Sequence, residues 1–346
     1  MVKKVLVGVL AVVMAAGMLS GCSSQEKKAD EVGTTNAGTT DAEPTVAAAT
    51  EAPAADTGDA SAEGGKTFGV TYWIESDFFK TVADSITDQA EADGNKTVVV
   101  DAQQDSTKQI QIIEDFIAQD VDAVFLNPVD RDAIEPALQK LDEAGIPVIN
   151  FDSAVSNLDL VDAYVATDNK QAGVLCGEEM IKDLPDGGDI AVLNYPANSA
   201  CNDRESGFME TIEGKGFNIV ATFDAEGTVE KGQSITSDIL QAHPDIAAIF
   251  CINDQCGMGA YAALTAAGGD ALIYGVDGAP EAKQVIAKNG IYKMTAAQSP
   301  IKIGSECYNV VKTILAGNKP EEFQINVPAF TINQANIKDY LNEGWQ

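Results

Sequence analysis

The stretch VDAVFLNPVD, residues 121–130, begins as a buried strand and ends in polar residues. Its apolar run predicts a strand covered on both faces, because strands of parallel sheets read as continuous hydrophobic runs. Asn127 follows the run, and Pro128 stops further pairing because proline has no N–H to donate to a sheet. The next stretch, RDAIEPALQKLDEAG at 131–145, has apolar residues at helical spacing. This order of strand, polar corner and helix is typical of an α/β sheet.

The same alternation of strands and helices recurs along the chain. The first series has predicted strands at 67–73, 96–102, 121–127, 146–152 and 162–167, with helices at 78–93, 106–119 and 131–144. The second series has strands near 188–194, 217–223, 246–252, 271–276 and 292–297, separated by helices near 170–183, 200–214, 230–242, 256–267 and 280–289. Two successive series predict an α/β fold of two doubly wound parallel-sheet lobes, with an eight-stranded barrel as the alternative.

Polar residues follow several of the predicted strands. Ligands of doubly wound sheets bind outside the carboxyl ends of the strands. Each such residue could instead cap a helix, and we assign that role to Asp130 or Asp132 and to Ser299. Five polar strand ends together favour a ligand site in a crevice between the lobes: Asn127, FDS at 151–153, CIND at 251–254, GVDG at 275–278 and AAQS at 296–299.

The amino-terminal segment has the pattern of an export signal. Two lysines precede an uncharged run from Val5 to Met18, about as long as a secretory h-region and shorter than the roughly 20 residues of a membrane span. LSGC, residues 19–22, resembles the lipobox of bacterial lipoproteins, in which the Cys is acylated after cleavage; an ordinary signal peptide with an incidental Cys is the alternative. We therefore predict a signal peptide over 1–21 and a lipidated Cys22.

Residues 22–65 are predicted to form a disordered acidic tether behind this Cys. They are rich in Thr, Ala, Gly and acids and poor in large apolar residues, so they cannot bury enough surface to offset their ordering entropy. A flexible chain of this length reaches roughly 35 Å on average. The net charge of −31 over 346 residues argues against a nucleic-acid partner, because binding to duplexes depends on Lys and Arg.

The remaining cysteines and the single histidine do not form a recognisable catalytic or metal-binding pattern. An odd number of cysteines without a CxxC pair predicts buried free thiols instead of a disulfide scaffold or a zinc site. His243 would have to support any catalytic triad alone, and we interpret it as a helix-capping residue. GGKT at 64–67 lacks the first Gly of a phosphate loop. We predict no enzyme activity, no cofactor and no metal; the cysteines are Cys176, Cys201, Cys251, Cys256 and Cys307.

From Lys66 onward the chain resembles the sugar-binding group of type I periplasmic binding proteins, which includes the ribose-binding proteins. The stretches that carry the resemblance are DFFKTVADSITDQAEADG, VDAVFLNPVDRDAIEPALQKLDEAGIPVINFDS, ATDNKQAG, AHPDIAAIFCINDQCGMGAYAAL and YGVDGAPEA. It implies two lobes joined by a three-stranded hinge near Thr167, Ser299 and Val327. The expected boundaries are 66–167 plus 299–327 for the first lobe and 168–298 plus 328–346 for the second.

The resemblance also implies a set of ligand-binding residues. Phe78 and Phe79 fall on the aromatic walls, and Ser76 on a polar contact. The hydroxyl-binding positions correspond to Asn127, Asp152, Arg204, Asn253, Asp277 and Gln298. The chain departs from ribose binders in three places, which leave the choice of sugar open: Ser153 replaces an Arg, Val276 replaces an aromatic residue, and AEGTVEKG at 225–232 lacks the aromatic residue expected before a helix.

These residue types suit a neutral sugar on chemical grounds alone. Carboxylates accept hydrogen bonds from hydroxyls, amides both donate and accept, and Arg donates in a fork. Phe supplies an apolar wall for the C–H face of a sugar ring. Asp152 and Asp277 against Arg204 leave about one negative charge, which disfavours an anionic ligand. We therefore expect a pentose or a hexose.

The expected mechanism is capture of a sugar between the lobes by hinge closure. The closed form would pass the sugar to the permease of an ABC importer, with a monomeric protein held at the membrane by its lipid anchor. A sugar sensor that presents the closed form to a chemoreceptor or sensor kinase is the main alternative. An exported glycoside hydrolase would use carboxylates in the cleft for acid–base chemistry. A repressor effector domain is excluded by the predicted signal peptide, the acidic charge and the lack of a helix-turn-helix before residue 66.

Overall fold

The computed structural model of this protein describes residues 65–346. The predicted signal peptide, Cys22 and nearly all of the tether lie outside the described residues. Within residues 65–346, no helix combines the length and the apolar character needed to cross a membrane.

The described part of the chain alternates between strands and helices. The strands are β1 Thr67–Tyr72, β2 Lys96–Asp101, β3 Ala123–Leu126, β4 Val148–Phe151, β5 Ala163–Thr167, β6 Gly188–Asn194, β7 Phe217–Asp224, β8 Ala248–Cys251, β9 Leu272–Asp277, β10 Tyr292–Ala297, β11 Gln324–Val327 and β12 Phe330–Asn333. The helices are α1 Asp77–Ala92, α2 Ser106–Ala118, α3 Glu135–Ala144, α4 Asn169–Asp183, α5 Ser199–Ile212, α6 Val229–Ala242, α7 Asp254–Ala267, α8 Pro280–Ile286, α9 Pro300–Leu315 and α10 Ile337–Tyr340.

The strands form two six-stranded sheets, one in each lobe. Their orders are β11-β5-β4-β3-β1-β2 and β12-β10-β9-β8-β6-β7. The prediction of two doubly wound α/β lobes is confirmed, and the barrel alternative is wrong. The chain passes between the sheets after β5, after β10 and after β11. The residue boundaries of the lobes stay a prediction.

One strand differs from the parallel arrangement that the sequence predicted. β12 pairs with β10 in the antiparallel direction, whereas the other pairs are parallel. Only Pro328 and Ala329 separate β11 from β12. Parallel strands that follow each other within one sheet need a long crossover connection. β12 enters its sheet directly from β11 of the other lobe, so its direction does not depend on such a connection.

Helix α9 was not among the predicted helices. It begins with Pro300, which suits the first turn because proline has no N–H to leave unpaired there. Its buried face includes Ile303, Cys307 and Val311, spaced by four residues. This face packs against the core of the first lobe together with residues of α1. The helix therefore completes the first lobe after the chain has built most of the second.

The predicted caps have mixed outcomes. The Asp130 carboxylate accepts hydrogen bonds from the backbone N–H groups of Asp132 and Ala133, at 2.9 Å each, so it caps the turn before α3. Helix α3 consequently begins later than predicted, at Glu135. Ser299 holds the N-cap position of α9, as predicted, but its side chain makes no capping hydrogen bond. His243 is the C-terminal cap of α6, as interpreted from the sequence.

Helices α4 and α5 lie unusually close to each other because two glycines face the contact. A Cβ atom on Gly173 would lie 1.9 Å from the carbonyl oxygen of Arg204. A Cβ on Gly207 would lie 2.0 Å from the carbonyl oxygen of Lys170. Any larger residue would push the helices apart. The two glycines therefore set the position of α5, which carries Arg204.

The five cysteines of the described region are free and buried. This confirms the prediction of buried free thiols. Burial raises the pKa of the Cys201 thiol to about 12, which keeps it protonated at neutral pH. The Cys176 thiol donates to the carbonyl oxygen of Gly275 at 3.2 Å.

Candidate ligand site in the interlobe cleft

In the first lobe, polar residues that follow β3 and β4 meet at the carboxyl edge of the sheet. The Asn127 amide donates to Asp152 Oδ2 at 3.3 Å and to the carbonyl oxygen of Phe151 at 3.2 Å. Ser153 Oγ donates to the same Asp152 oxygen at 3.1 Å. The backbone N–H of Trp73 donates to Asn127 Oδ1 at 3.4 Å. The sequence predicted that Asn127 and Asp152 lie together, and they do.

In the second lobe, Arg204 is the centre of a buried hydrogen-bond network. Its Nε donates to Asn169 Oδ1 at 2.8 Å, and its Nη1 donates to the carbonyl oxygen of Ile252 at 2.8 Å. Nη1 also forms an ion pair with Asp277 Oδ1 at 3.1 Å. The Gln298 amide donates to that same oxygen at 2.7 Å. Three of the predicted ligand residues are therefore brought into direct contact.

The two aspartates share an uncommon backbone conformation. The φ angle is 62° at Asp152 and 135° at Asp277. Residues other than glycine seldom adopt positive φ, and such strained residues cluster at functional sites. Each aspartate directly ends or follows a parallel strand, β4 and β9 respectively. The strain sets the direction of both carboxylates and supports the hypothesis of a ligand site here.

The charges of the two lobes influence each other across the cleft. Burial raises the pKa of Asp152, and the positive charge of Arg204 opposes this effect. Burial also raises the pKa of Asp277, again against the effect of Arg204. For Arg204 itself, burial disfavours the charge, but Asp277, Cys201 and Asp152 together raise its pKa. The guanidinium thus stabilises one carboxylate from each lobe.

Below Asp277 lies a carboxylate that sequence reasoning missed. Asp254 is fully buried in the first turn of α7. It accepts hydrogen bonds from Tyr292 Oη at 2.7 Å, from Thr295 Oγ1 at 3.0 Å and from the N–H of Ala279 at 2.8 Å. Burial and the nearby Asp277 raise its pKa to about 7. Asp254 therefore ties the ends of three elements together beneath the cleft.

Two of the predicted ligand residues serve as helix caps. Ser76 Oγ accepts from the backbone N–H of Phe79 at 3.3 Å, and Asn253 Oδ1 accepts from that of Cys256 at 2.9 Å. The Asn253 amide also donates to the carbonyl oxygen of Gly227 at 2.9 Å. Each side chain still has a hydroxyl or amide hydrogen that could bind a ligand. Their ligand roles therefore stay predictions.

The predicted aromatic walls belong to a larger aromatic cluster. Phe79 stacks on Tyr72, with ring centroids 6.0 Å apart, and Phe78 contacts the edge of Trp345 at 5.4 Å. Trp345 packs against the cores of both lobes, a position that no local pattern in the sequence indicated. The contact between Phe78 and Trp345 therefore connects the aromatic cluster of the first lobe to a residue that packs against both lobes.

The hinge crossings are connected by a hydrogen bond. Thr167 Oγ1, at the end of β5, donates to Gln298 Oε1 after β10 at 2.6 Å. Since Gln298 also donates to Asp277, the hinge and the ligand site share a side chain. Movement of the lobes would thus change the position of Gln298 and with it the hydrogen bond to Asp277.

Two cavities differ in their relation to the sheets. One of about 430 Å³ is lined by residues before β4 and β5, including Pro147 and Val161. The other, of about 420 Å³, is lined by residues that follow β1, β3, β4 and β6, including Trp73, Ser153 and Tyr195. Ligands of doubly wound sheets bind at the carboxyl ends, so the second cavity is the candidate for a ligand site. In residues 65–346, no cluster of three or more His, Cys, Asp or Glu side chains is arranged to hold a metal ion.

Comparison with known proteins agrees with this geometry. Residues 68–319 match the periplasmic binding protein domain. The chain belongs to the periplasmic binding protein family. It is 34% identical to the ribose import binding protein of Bacillus subtilis (strain 168) over 250 residues, which cover 72% of this chain and 81% of that protein. The resemblance to type I sugar-binding members of the family is thereby confirmed.

Solved structures of other periplasmic binding proteins share the fold. The arabinose-binding component from Shewanella sp. ANA-3, bound to L-arabinofuranose, has a TM-score of 0.75 and 27% identity, over 80% of this chain and 95% of that one. A solute-binding protein from Bacillus halodurans C-125, bound to myo-inositol, has a TM-score of 0.75 and 28% identity, over 82% and 99%. Sugars and a cyclic polyol are thus bound on closely similar scaffolds.

Proposed function

We propose that this periplasmic binding protein captures a neutral monosaccharide or cyclic polyol between its lobes and delivers it to an ABC importer. The proposed ligand residues are Ser76, Phe78, Phe79, Asn127, Asp152, Arg204, Asn253, Asp277 and Gln298. The protein would act by binding alone, without catalysis. The observation that carries the proposal is that the Asn127 and Asp152 pair lies close enough to the network of Arg204, Asp277 and Gln298 for the Arg204 charge to act on Asp152.

The chemistry of this arrangement supports a ligand with several hydroxyls. Two carboxylates accept hydrogen bonds, and the guanidinium and the two amides donate them. Charge-assisted hydrogen bonds of this type are stronger than neutral ones. Arg204 forms its ion pair with Asp277 and none with Asp152. An anionic ligand would therefore be repelled by the negative charge of Asp152. A neutral ligand avoids this repulsion.

We also propose that the protein works outside the cytoplasmic membrane as a lipoprotein anchored through Cys22, as a monomer. The basis is the LSGC stretch and the composition of residues 22–65. A tether of this length would let the lobes reach a permease in the same membrane.

A thermal-shift screen tests the proposed ligand class. We expect pentoses, hexoses or myo-inositol to raise the melting temperature, while sugar phosphates, amino acids and nucleotides do not. A ligand at one hundred times its Kd adds about 2.7 kcal/mol, which corresponds to roughly 5 °C in a protein of this size. Stabilisation by anionic ligands alone would contradict the charge argument.

A further inference from the structure

The cavity at the carboxyl ends of the sheets lies between the lobes, beside the proposed monosaccharide site. Trp73, Ser153 and Ala154 line it from the first lobe, and Tyr195 and Asn198 line it from the second. Its volume of about 420 Å³ falls within the roughly 300–1,000 Å³ of small-molecule sites. The Asn198 amide donates to Ser153 Oγ at 3.3 Å and connects the two lobes across the cavity. The cavity is therefore bounded by both lobes.

The cavity borders residues proposed to bind the sugar, because several of its lining residues are hydrogen-bonded to them or adjoin them in sequence. Ser153 lines it and donates to Asp152, and the backbone N–H of Trp73 donates to Asn127. Other lining side chains at this boundary are small, such as Ala154 and Ala197. Ser153 thus stands between the cavity, which it lines, and the Asp152 carboxylate, to which it donates. A substituent on a sugar bound at Asp152 would enter the cavity past this small side chain.

Two half-exposed aromatic residues line the cavity from opposite lobes. The Trp73 ring packs edge-to-face with Phe79, with ring centroids 6.2 Å apart. Tyr195 lies beside Gly227, where a Cβ atom would be 3.8 Å from Tyr195 Cδ1 and 3.0 Å from Asn253 Nδ2. Gly227 has a φ of 62°, which favours glycine. The bare backbone at Gly227 thus leaves room for the Asn253 amide, and the Tyr195 ring lies at ordinary contact distance from the same glycine.

We infer that this cavity is a second subsite, which binds the second ring of a disaccharide or the aglycone of a glycoside. Flat aromatic faces pack well on the C–H faces of sugar rings, and Trp73 and Tyr195 supply such faces from the two lobes. The Asn198 amide and the Ser153 hydroxyl supply hydrogen bonds for hydroxyls of the second ring. The inference rests on the proposed function and extends its ligand class from monosaccharides to neutral glycosides.

Calorimetric titration of the wild type with matched probes tests the subsite. The probes are D-glucose and D-galactose against cellobiose, gentiobiose, lactose and melibiose, and D-ribose and L-arabinose against their methyl and 4-nitrophenyl glycosides. We expect at least one glycoside to bind as tightly as its parent monosaccharide or more tightly. If every glycoside binds about a hundredfold more weakly than its parent, the subsite is wrong and the proposed function stands. If neither these probes nor myo-inositol and the other neutral sugars of the thermal-shift screen bind, both are wrong.

Variants separate the subsite from the monosaccharide site. Tyr195→Ala should weaken glycoside binding by about tenfold or more and change monosaccharide binding by less than about threefold. Ala197→Phe, at an exposed position on the cavity wall, should exclude the glycoside in the same selective way. Phe223→Ala removes an exposed ring of the same lobe and serves as the control. Equal losses for both ligand types in Tyr195→Ala would overturn the inference.

Discussion

At the scale of single residues, Arg204 holds a buried position that only its partners make tolerable. Its guanidinium contacts Asn169, Ile252 and Asp277. Side-chain exposures of 5% and 16% for Arg204 and Asp277 mean that water screens this pair weakly. Removing one member of a buried ion pair leaves the other charge uncompensated. Truncation of Arg204 should therefore lower the stability of the protein as well as its affinity for a ligand.

We therefore predict that Arg204→Ala lowers both sugar affinity and the stability of the unliganded protein. Affinity should fall about tenfold to a hundredfold, because each charged hydrogen bond contributes about 1.5–3 kcal/mol. The free energy of unfolding should fall by about 3–5 kcal/mol. Calorimetric titration and urea unfolding measure the two effects.

Matched variants identify the cause. Arg204→Lys keeps the charge and loses the planar fork, so it should retain more stability than Arg204→Ala while still losing affinity. Lys170→Ala removes an exposed ion pair with Glu210, and such pairs contribute little. Unchanged affinity and stability in Arg204→Ala would show that the site has been assigned wrongly.

Asp254 leads to a prediction about pH. Its pKa in the folded protein is about 7, above its ordinary value of 3.8. The folded state therefore keeps a proton that the unfolded state has lost, and stability falls as pH rises from about 4 to 7. Asp254→Asn removes this titration, so its free energy of unfolding should depend less on pH across that range. Urea unfolding at a series of pH values makes the comparison, and parallel curves would contradict the assignment.

At the scale of elements, the contact between α4 and α5 positions the ligand site. Gly173 and Gly207 allow backbone carbonyls of one helix to lie where a Cβ would otherwise be. Asn169, at the start of α4, then reaches Arg204 on α5. The packing of two helices thus decides where one guanidinium lies.

We predict that Gly173→Ala displaces α5 and disturbs the position of Arg204. The new Cβ would lie 1.9 Å from a carbonyl oxygen, and overpacking of this kind costs about 1–3 kcal/mol. Urea unfolding should show the loss, and calorimetric titration should show weaker sugar binding. Gly290→Ala is the control, because a Cβ there would have no atom within 4 Å. Equal stability of the two variants would mean that the helices separate without cost.

At the scale of the whole molecule, the proposed ligand binding would depend on residues from both lobes. The three crossings after β5, β10 and β11 place the hinge beside the site, and the hydrogen bond between Thr167 and Gln298 joins two of them. A sugar that contacts both halves would favour the closed arrangement by its differential affinity. Membrane attachment is a separate property, proposed for Cys22 far from the cleft in sequence.

We predict that Cys22→Ser releases the protein from membranes without a change in sugar affinity, because the proposed tether separates the anchor from the lobes. Detergent partitioning measures the release, and calorimetric titration of the released protein measures the affinity. Cys307→Ser, at a buried free thiol of the first lobe, should leave membrane attachment unchanged. Retention of the Cys22→Ser protein in the detergent phase would contradict lipidation.

The sequence by itself determined the two α/β lobes, the order of the strands through β10 with the helices between them, and the polar residues at the strand ends. These features follow from local periodicity and from the rule that ligands bind at carboxyl ends of parallel strands. Only the tertiary structure decided that Asn169 and Ile252 hold Arg204, that Asp254 lies beneath Asp277, and that Trp345 contacts Phe78. It also decided the antiparallel pairing of β12 and the cavity between Trp73 and Tyr195. Periodicity reports which face of an element is buried, whereas these contacts join residues far apart in the chain, so their geometry depends on how the elements pack.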